Sequence, residues 1–459
     1  MKRAVLLACV GFGALAAPAS AEVREFTYSA GPVTVGPYQV KQGYLPAPHP
    51  GSELGDGFVT AMSVDVTDAA GNPIPIRRLM LHHIVFTNLA RRDSTCTDIT
   101  AFDSSTQFPG VQRFYAAGEE RNKVLFPAGY GYKVGANDPW ALYYMFMNHQ
   151  NQVDQGYIRY HVTWDTNPAL KAVKPYWLDE KNCLQDPVFD VPGGGRKGST
   201  FTKSKTFTIP EPGRLIAAGG HVHGGAKRLD LRRADCRNRL LFRSKPTWGS
   251  PSHPFYHVRP VLHEPGPINM SSFYSSQGYP VAKGERLRLV ARYDDHYEHT
   301  RVMGIMVAYL APDASVKKPC GRDPTDVVHP PTPAGRHSPP RFKVPIVAIR
   351  GGKARDISAP RGRRIRVKSG AVIQVGNEYF RHANVSVAQG ARLRWLFTSP
   401  ALHNVTVANG PLGFSSRNLS SGREFTAKLT RPGTYRIFCA LHPVSMTATI
   451  KVTRRKKHK

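Results

Sequence analysis

Within eight residues, Cys439-Ala-Leu-His-Pro-Val-Ser-Met446, the chain sets a thiol, an imidazole and a thioether in order. The alternating segment before it, Tyr435-Arg-Ile-Phe-Cys439, predicts a β-strand that delivers the thiol to the start of a loop. About one hairpin earlier, His403 heads another alternating run, Leu402-His-Asn-Val-Thr-Val407, and supplies a second imidazole. Two imidazoles, one thiolate and a weak axial thioether are the donor set of a blue-copper centre, because that arrangement suits both oxidation states of the metal. The set predicts electron transfer.

The same residues carry a resemblance. The segment from Val344 to Val452 resembles a cupredoxin. This implies a Greek-key β-barrel holding one type 1 copper, with His403, Cys439, His442 and Met446 as its ligands.

At the other end, Met1-Lys-Arg is basic, Ala4 to Ala17 is apolar and small, and Ala19-Ser-Ala21 is an A-x-A cleavage signal. Residues 1–21 therefore read as a secretory signal peptide containing Cys9, and the expected location is secreted or periplasmic. No other run approaches the roughly eighteen apolar residues of a membrane span. Export puts the cysteines in an oxidising compartment. With Cys439 taken by copper, Cys96, Cys183, Cys236 and Cys320 remain for two disulfides. Of the three connectivities, Cys96 with Cys183 and Cys236 with Cys320 is favoured, because each bridge then stays inside one region.

Turn residues and alternation divide the chain into an all-β series. Residues 22–167 and 201–311 read as two jelly-roll-like β-sandwich domains, rich in short alternating runs and poor in helical periods. Residues 168–200, with Pro175, Pro187, Pro192 and Gly193-Gly-Gly195, read as a loop-rich join. Residues 312–343 are a Pro-rich linker, semi-rigid and extended. The cupredoxin segment follows at 344–453, and 454–459 form a basic tail. From Arg341 to Lys459 there are 24 Lys plus Arg against 3 Asp plus Glu, a difference of +21 in a chain whose formal charge is +31. Such a surface favours anionic envelope polymers or lipid head groups. Export and the lack of a recognition motif set nucleic acid aside.

The first two regions hold a second constellation of soft ligands. His82-His83 lies in Leu79-Met-Leu-His-His-Ile-Val-Phe86, a strand whose neighbours would point to opposite faces unless it twists or bulges. His149 ends Tyr143-Tyr-Met-Phe-Met-Asn-His149 and offers a third imidazole. His221 and His223, two apart on a strand, share a face and can chelate one ion, with Gly219-Gly220 and Gly224-Gly225 leaving space around them. Met303 adds a thioether of the kind copper(I) accepts. His253, His257, His263, His296 and His299 are expected to line a cleft without ligating metal.

This ligand order resembles that of the copper type II, ascorbate-dependent monooxygenases, the family of peptidylglycine and dopamine hydroxylases, from about Val59 to Pro312. The resemblance implies a tris-histidine copper at His82, His83 and His149. It also implies a catalytic copper at His221, His223 and Met303, the two type 2 centres facing each other across a solvent-filled gap. Where the peptide enzymes carry an arginine, an asparagine and a tyrosine that hold a substrate carboxylate, this chain has Gly219, Ile305 and Val307. Val35-Gly-Pro-Tyr-Gln-Val40, Gly129-Tyr-Gly-Tyr132 and Gly220-His-Val-His-Gly-Gly225 are also similar to the stress up-regulated nodulin family. The expectation is an exported copper oxidoreductase, its monooxygenase-like region fed with electrons by the blue centre. The electron donor is an ascorbate-like reductant or a redox protein. A non-catalytic copper-binding or electron-transfer protein of the envelope is the alternative. No catalytic triad, phosphate loop or paired-carboxylate motif stands out, and acidic residues are too scarce for a calcium or magnesium site.

Overall fold

Alternation in the sequence becomes strands buried on one face: Asp154–Asp165 switches between buried and part-exposed or exposed positions along its whole length. In the computed structural model, which describes residues 22–101, 107–181 and 183–454, strands dominate, and the α-helix Gly51–Leu54 is one turn long. The expected leader at 1–21, with Cys9, and residues 455–459 of the tail lie outside the described residues. Among the described residues no helix is long and apolar enough to cross a membrane.

The first sandwich packs a sheet built on Val23–Val35, Asp154–Asp165, Gly57–Thr67 and Tyr130–Val134 against one ordered Val40–Pro46, Trp140–Asn148, Leu79–Arg92 and Val111–Gly118. Phe86, Phe114, Tyr132, Trp140 and Tyr160 fill the space between. The second sandwich faces Lys174–Asp179, Gly304–Pro312, Gly213–Val222 and Ser272–Val281 with Thr200–Thr208, Arg286–Asp294, Ala226–Arg233 and Arg239–Ser244.

The two sandwiches share an apolar wall. Every residue of Gly304–Pro312 except the last is buried. Successive side chains of a strand leave on opposite faces, so Met306, Ala308 and Leu310 enter the second core while Ile305, Val307, Tyr309 and Ala311 enter the first. Tyr309 also donates its hydroxyl to the Phe114 carbonyl at 2.9 Å. This wall positions the histidines described below.

Residues 168–200 are more ordered than a loop-rich join. Lys171–Ala172 pairs with the first sandwich, Lys174–Asp179 forms an edge of the second, and Phe189–Val191 pairs with His299–Val302. Proline misleads here because Pro175 sits on an edge strand, where a missing N–H leaves no ladder bond unmade. The disulfides are Cys96–Cys183 and Cys236–Cys320. The pairing is the expected one, but the first bridge ties the first sandwich to the chain just past the edge strand of the second, so it does not stay within one unit. The Pro-rich segment is held along the second sandwich by Cys320 and by backbone pairing of Val328 with Tyr274 and of Arg336 with Trp248.

In the third unit the sheet Ile365–Arg366, Asn384–Ala388, His442–Thr453, Gly433–Cys439 and Thr406–Asn409 faces Tyr379–Phe380, Val372–Gly376, Arg392–Phe397 and Glu424–Lys428. The pairings leave two sheets around Trp395, Tyr435 and Ile437 where a closed barrel is expected. A hairpin, Ile346–Arg350 with Lys353–Ile357, precedes them.

Candidate metal centres

The centre in the third unit is assembled by one hydrogen-bonded ladder. Gly433–Cys439 ends at the thiol, the chain turns over Ala440 and Leu441, and His442 begins the returning strand His442–Thr453. His442 and Met446 therefore lie on a strand and not on the expected loop. His403 arrives from the segment leading into Thr406–Asn409, which pairs with Gly433–Cys439. Ligand atoms of His403, Cys439 and His442 all lie within 4.8 Å of one another. His403 Nδ1 is 3.2 Å from His442 Nδ1, and Cys439 Sγ is 3.7 Å from the same nitrogen. Met446 is fully buried in the surrounding core.

Asn404, not singled out by its residue type, fastens this arrangement. Its backbone N–H donates to Cys439 Sγ at 3.3 Å, and its side-chain oxygen accepts from Ala440 N and Thr406 Oγ1, both at 2.8 Å. Burial pushes the Cys439 thiol up, the wrong direction for a thiolate standing alone. Burial, helped by repulsion from His442, holds His403 down at about 4, and its buried Nε2 has no hydrogen-bond partner. A soft thiolate with two neutral imidazoles fits copper, whose positive charge stabilises the thiolate.

The second centre lies where the two sandwiches meet. His83 pairs with Met145 and Leu81 with Phe146, so His82 is the extra residue of a bulge. The bulge turns both rings to one side, with Nδ1 of His82 and of His83 2.9 Å apart. From the other sandwich, His221 at the end of Gly213–Val222 and His223 just beyond it come to meet them. His83 Nε2 is 3.1 Å from His223 Nε2, and the His221 ring lies 5.2 Å from His83 and 5.1 Å from His223. Close approach explains a glycine: a Cβ on Gly118, opposite His83, would lie 2.5 Å from His221 Cε1.

His82, His83 and His223 form a group whose ligand atoms lie within 4.8 Å of one another. Two sites facing each other across a solvent-filled gap are thus not what the geometry gives; the apolar wall brings the two histidine pairs into contact. His149 does not complete such a group with His82 and His83. Its Nδ1 donates to the Pro260 carbonyl at 3.2 Å, and its buried Nε2 has no hydrogen-bond partner. Met303 is buried and lines a cavity of about 210 Å³ together with His82, His83 and His223.

Residue types passed over in the sequence complete the cluster. Glu120 accepts from His221 Nδ1 at 3.0 Å, leaving His221 Nε2 buried and without a partner. A carboxylate that fixes one ring nitrogen so that the other can ligate is a recurring support for metal-bound histidine. Glu119 and His263 lie on the far side of His82. The only signal for these carboxylates is the Gly118-Glu-Glu-Arg121 turn at the end of a strand. Burial, then repulsion from neighbouring rings, pushes His82, His83 and His223 well below the ordinary imidazole value. His221 is raised, because the Glu120 charge and hydrogen bond outweigh burial. Neutral imidazoles at His82, His83 and His223, with the buried and unpartnered Nε2 of His221 beside them, are donors suited to a transition-metal ion.

The cavity also joins the two centres. Phe438, Ala440 and Leu441, next to the Cys439 thiol, also line it. The units are hydrogen-bonded around it: Thr300 Oγ1 donates to the Val407 carbonyl at 2.8 Å, Gly410 N to Glu298 Oε1 at 2.7 Å, and Ser415 Oγ to Asp190 Oδ1 at 2.7 Å. Arg301 donates to the Ser416 carbonyl at 3.0 Å and also pairs with Asp186.

Known proteins resemble the chain in both regions. The "Probable copper-dependent oxygenase M1" of Phoma sp. is 26% identical over 268 residues, covering 55% of this chain and 63% of that protein. The "Probable copper-dependent oxygenase clz3" of Cochliobolus lunatus is 26% identical over 247 residues, covering 50% of this chain and 72% of that protein. A purple cupredoxin from Nitrosopumilus maritimus, 21% identical with a TM-score of 0.17, covers 18% of this chain and 99% of that one. An oxidised amicyanin variant, 19% identical with the same TM-score of 0.17, covers 18% of this chain and 80% of its own. Residues 189–313 match the stress up-regulated Nod 19 family model, and residues 367–453 match that of the copper binding proteins of the plastocyanin/azurin family, so each of these two segments is similar to a copper-related or Nod 19 family over its own length.

Proposed function

We propose that the chain is an exported copper oxidoreductase in which the third unit passes single electrons to an oxygen-reacting copper in the histidine cluster. The observation that carries this reading is the shared cavity, lined both by Phe438, Ala440 and Leu441 and by His82, His83, His223 and Met303. Copper bound in the cluster would supply one-electron chemistry with dioxygen. The chain's own part is to hold His221 through Glu120 and to keep His82, His83 and His223 unprotonated by burial. The names of the two fungal relatives support oxygenase chemistry.

Ile305 and Val307, standing where the peptide enzymes hold a substrate carboxylate, enter the inter-sandwich core. A glycine-extended peptide is therefore a poor substrate, and this is the observation that favours the alternative of a non-catalytic copper or electron-transfer protein. Anionic envelope surfaces remain a proposed partner of the basic third unit, and an ascorbate-like reductant or redox protein a proposed donor. Two disulfides suit the oxidising location that export would give. Copper stoichiometry with electron paramagnetic resonance on purified protein is the test. One intensely blue signal with type 2 signals beside it, and ascorbate-dependent oxygen uptake, are expected. A single blue copper per chain removes the oxygenase reading.

A further inference from the structure

The expected ligand order leaves the most buried carboxylate on its side of the cluster unused. The Glu119 side chain is 6% exposed, and its Oε1 meets two imidazoles at once, His82 Nε2 at 3.2 Å and His263 Nε2. Its Oε2 accepts from Gly266 N at 2.9 Å, which fixes the carboxylate plane. Ligand atoms of His82, Glu119 and His263 all lie within 4.8 Å of one another, as those of His82, His83 and His223 do. The two groups meet at one ring. His82 presents Nε2 to Glu119 and turns Nδ1 to His83, 2.9 Å away.

Two features set Glu119 apart from Glu120. Glu120 takes the Nδ1 of a single ring, His221, and leaves the outer nitrogen for a ligand role. Glu119 instead lies where the outer nitrogens of two rings from two sandwiches converge, and the His263 Nδ1 is buried without a hydrogen-bond partner. The donors also exceed what one ion takes. Five imidazoles, His82 among them, and the Glu119 carboxylate make up the cluster, whereas a four-coordinate site needs four donors.

We propose that His82, Glu119 and His263 hold a second divalent ion, on the Nε2 side of His82 and next to the position framed by His83, His221 and His223. Two imidazoles and a carboxylate suit a borderline divalent ion, Zn²⁺ or Cu²⁺, and lack the soft donors that select copper(I). The inference deepens the reading of the cluster as a metal centre and is independent of whether that centre turns over oxygen.

The test is metal counting on the full chain, stripped by chelation, then titrated with Zn²⁺ and separately with Cu²⁺ and measured by elemental analysis after desalting. Glu119→Gln and His263→Gln are each expected to bind one ion fewer than the parent chain, and His223→Ala to lose a different ion, so that Glu119→Gln with His223→Ala loses two. Far-ultraviolet circular dichroism of the metal-free variants checks the fold, and the near-isosteric glutamine keeps the carboxylate's shape. Variants at Glu119 and His263 that match the parent count overturn the proposal. A parent chain with the extra ion but no oxygen uptake leaves this site standing and removes the oxygenase reading, whereas oxygen uptake with the parent count unchanged in both variants does the reverse.

Discussion

The two candidate metal centres of this chain are built in opposite ways. In the third unit, three candidate ligands follow one another from Cys439 to Met446 and the fourth, His403, comes from the segment leading into the next strand of the same sheet. The histidine cluster draws on Leu79–Arg92, on the turn after Val111–Gly118, on the end of Gly213–Val222 and on His263, so it exists only when two sandwiches are packed together. A site held within one sheet can fold with its own unit. One split between units depends on their interface, and the comparison teaches that the Tyr309 wall is as much a part of the cluster as its rings.

The sharpest break between the two is chemical. Cys439→Ser is expected to abolish the blue absorption entirely while leaving type 2 copper signals, and His221→Ala to remove type 2 signal while leaving the blue colour. Parallel absorption and paramagnetic resonance spectra decide this, and loss of both signals in either variant would show that the centres are not separable.

The next largest effect tests the wall. Tyr309 is 3% exposed and its hydroxyl is bonded across the interface. Tyr309→Ala removes a buried aromatic ring at a cost of about 3–5 kcal/mol. The copper affinity of the histidine cluster should fall while the blue centre keeps its spectrum. Chemical denaturation and copper titration of the same variant measure the two consequences.

A smaller effect is expected at Asn404, which is fully buried. Asn404→Ala strips a partner from Ala440 N beside the thiol, and an unsatisfied buried donor costs about 1–3 kcal/mol. Copper should leave the blue centre more readily on dialysis against chelator, with the count in the cluster unchanged.

The most gradual difference is with pH in the metal-free protein. Burial, then repulsion from His263, holds His149 at about 3, and His403 lies at about 4. Above about pH 6.5 such rings are neutral whether the chain is folded or not; below it, the unfolded chain takes up protons that the folded one refuses. Stability should therefore fall as pH drops from about 6.5 towards 4. His221 works in the other direction, its contribution being present below about pH 6.5 and lost on raising the pH, because Glu120 lifts it. Denaturant midpoints measured against pH, with and without His149→Ala, test the sign.

Much of this was legible before any coordinates. The all-β character follows from the alternation, and the choice of the four bridging cysteines from the odd thiol at Cys439, whereas the reason given for their pairing, each bridge inside one region, fails for Cys96–Cys183. The strand Gly304–Pro312 reads as a continuous apolar run, which signals burial on both faces without naming what covers the second face. The join at 168–200 was obscured because proline on an edge strand and proline in a loop look alike in sequence.

For the metal chemistry the division is sharper still. By itself the sequence placed the donors Cys439, His442 and Met446 close along the chain, and a single strand pairing brings His403 to Cys439 and His442. It also determined that His82, His83, His221 and His223 are metal-ligand types in suggestive places. Only the tertiary structure decided that these four rings share one cluster. The bulge at His82, the wall of Ile305, Val307 and Tyr309, and the carboxylates of Glu119 and Glu120 act through space between distant segments, and no local pattern of residues encodes a contact of that kind.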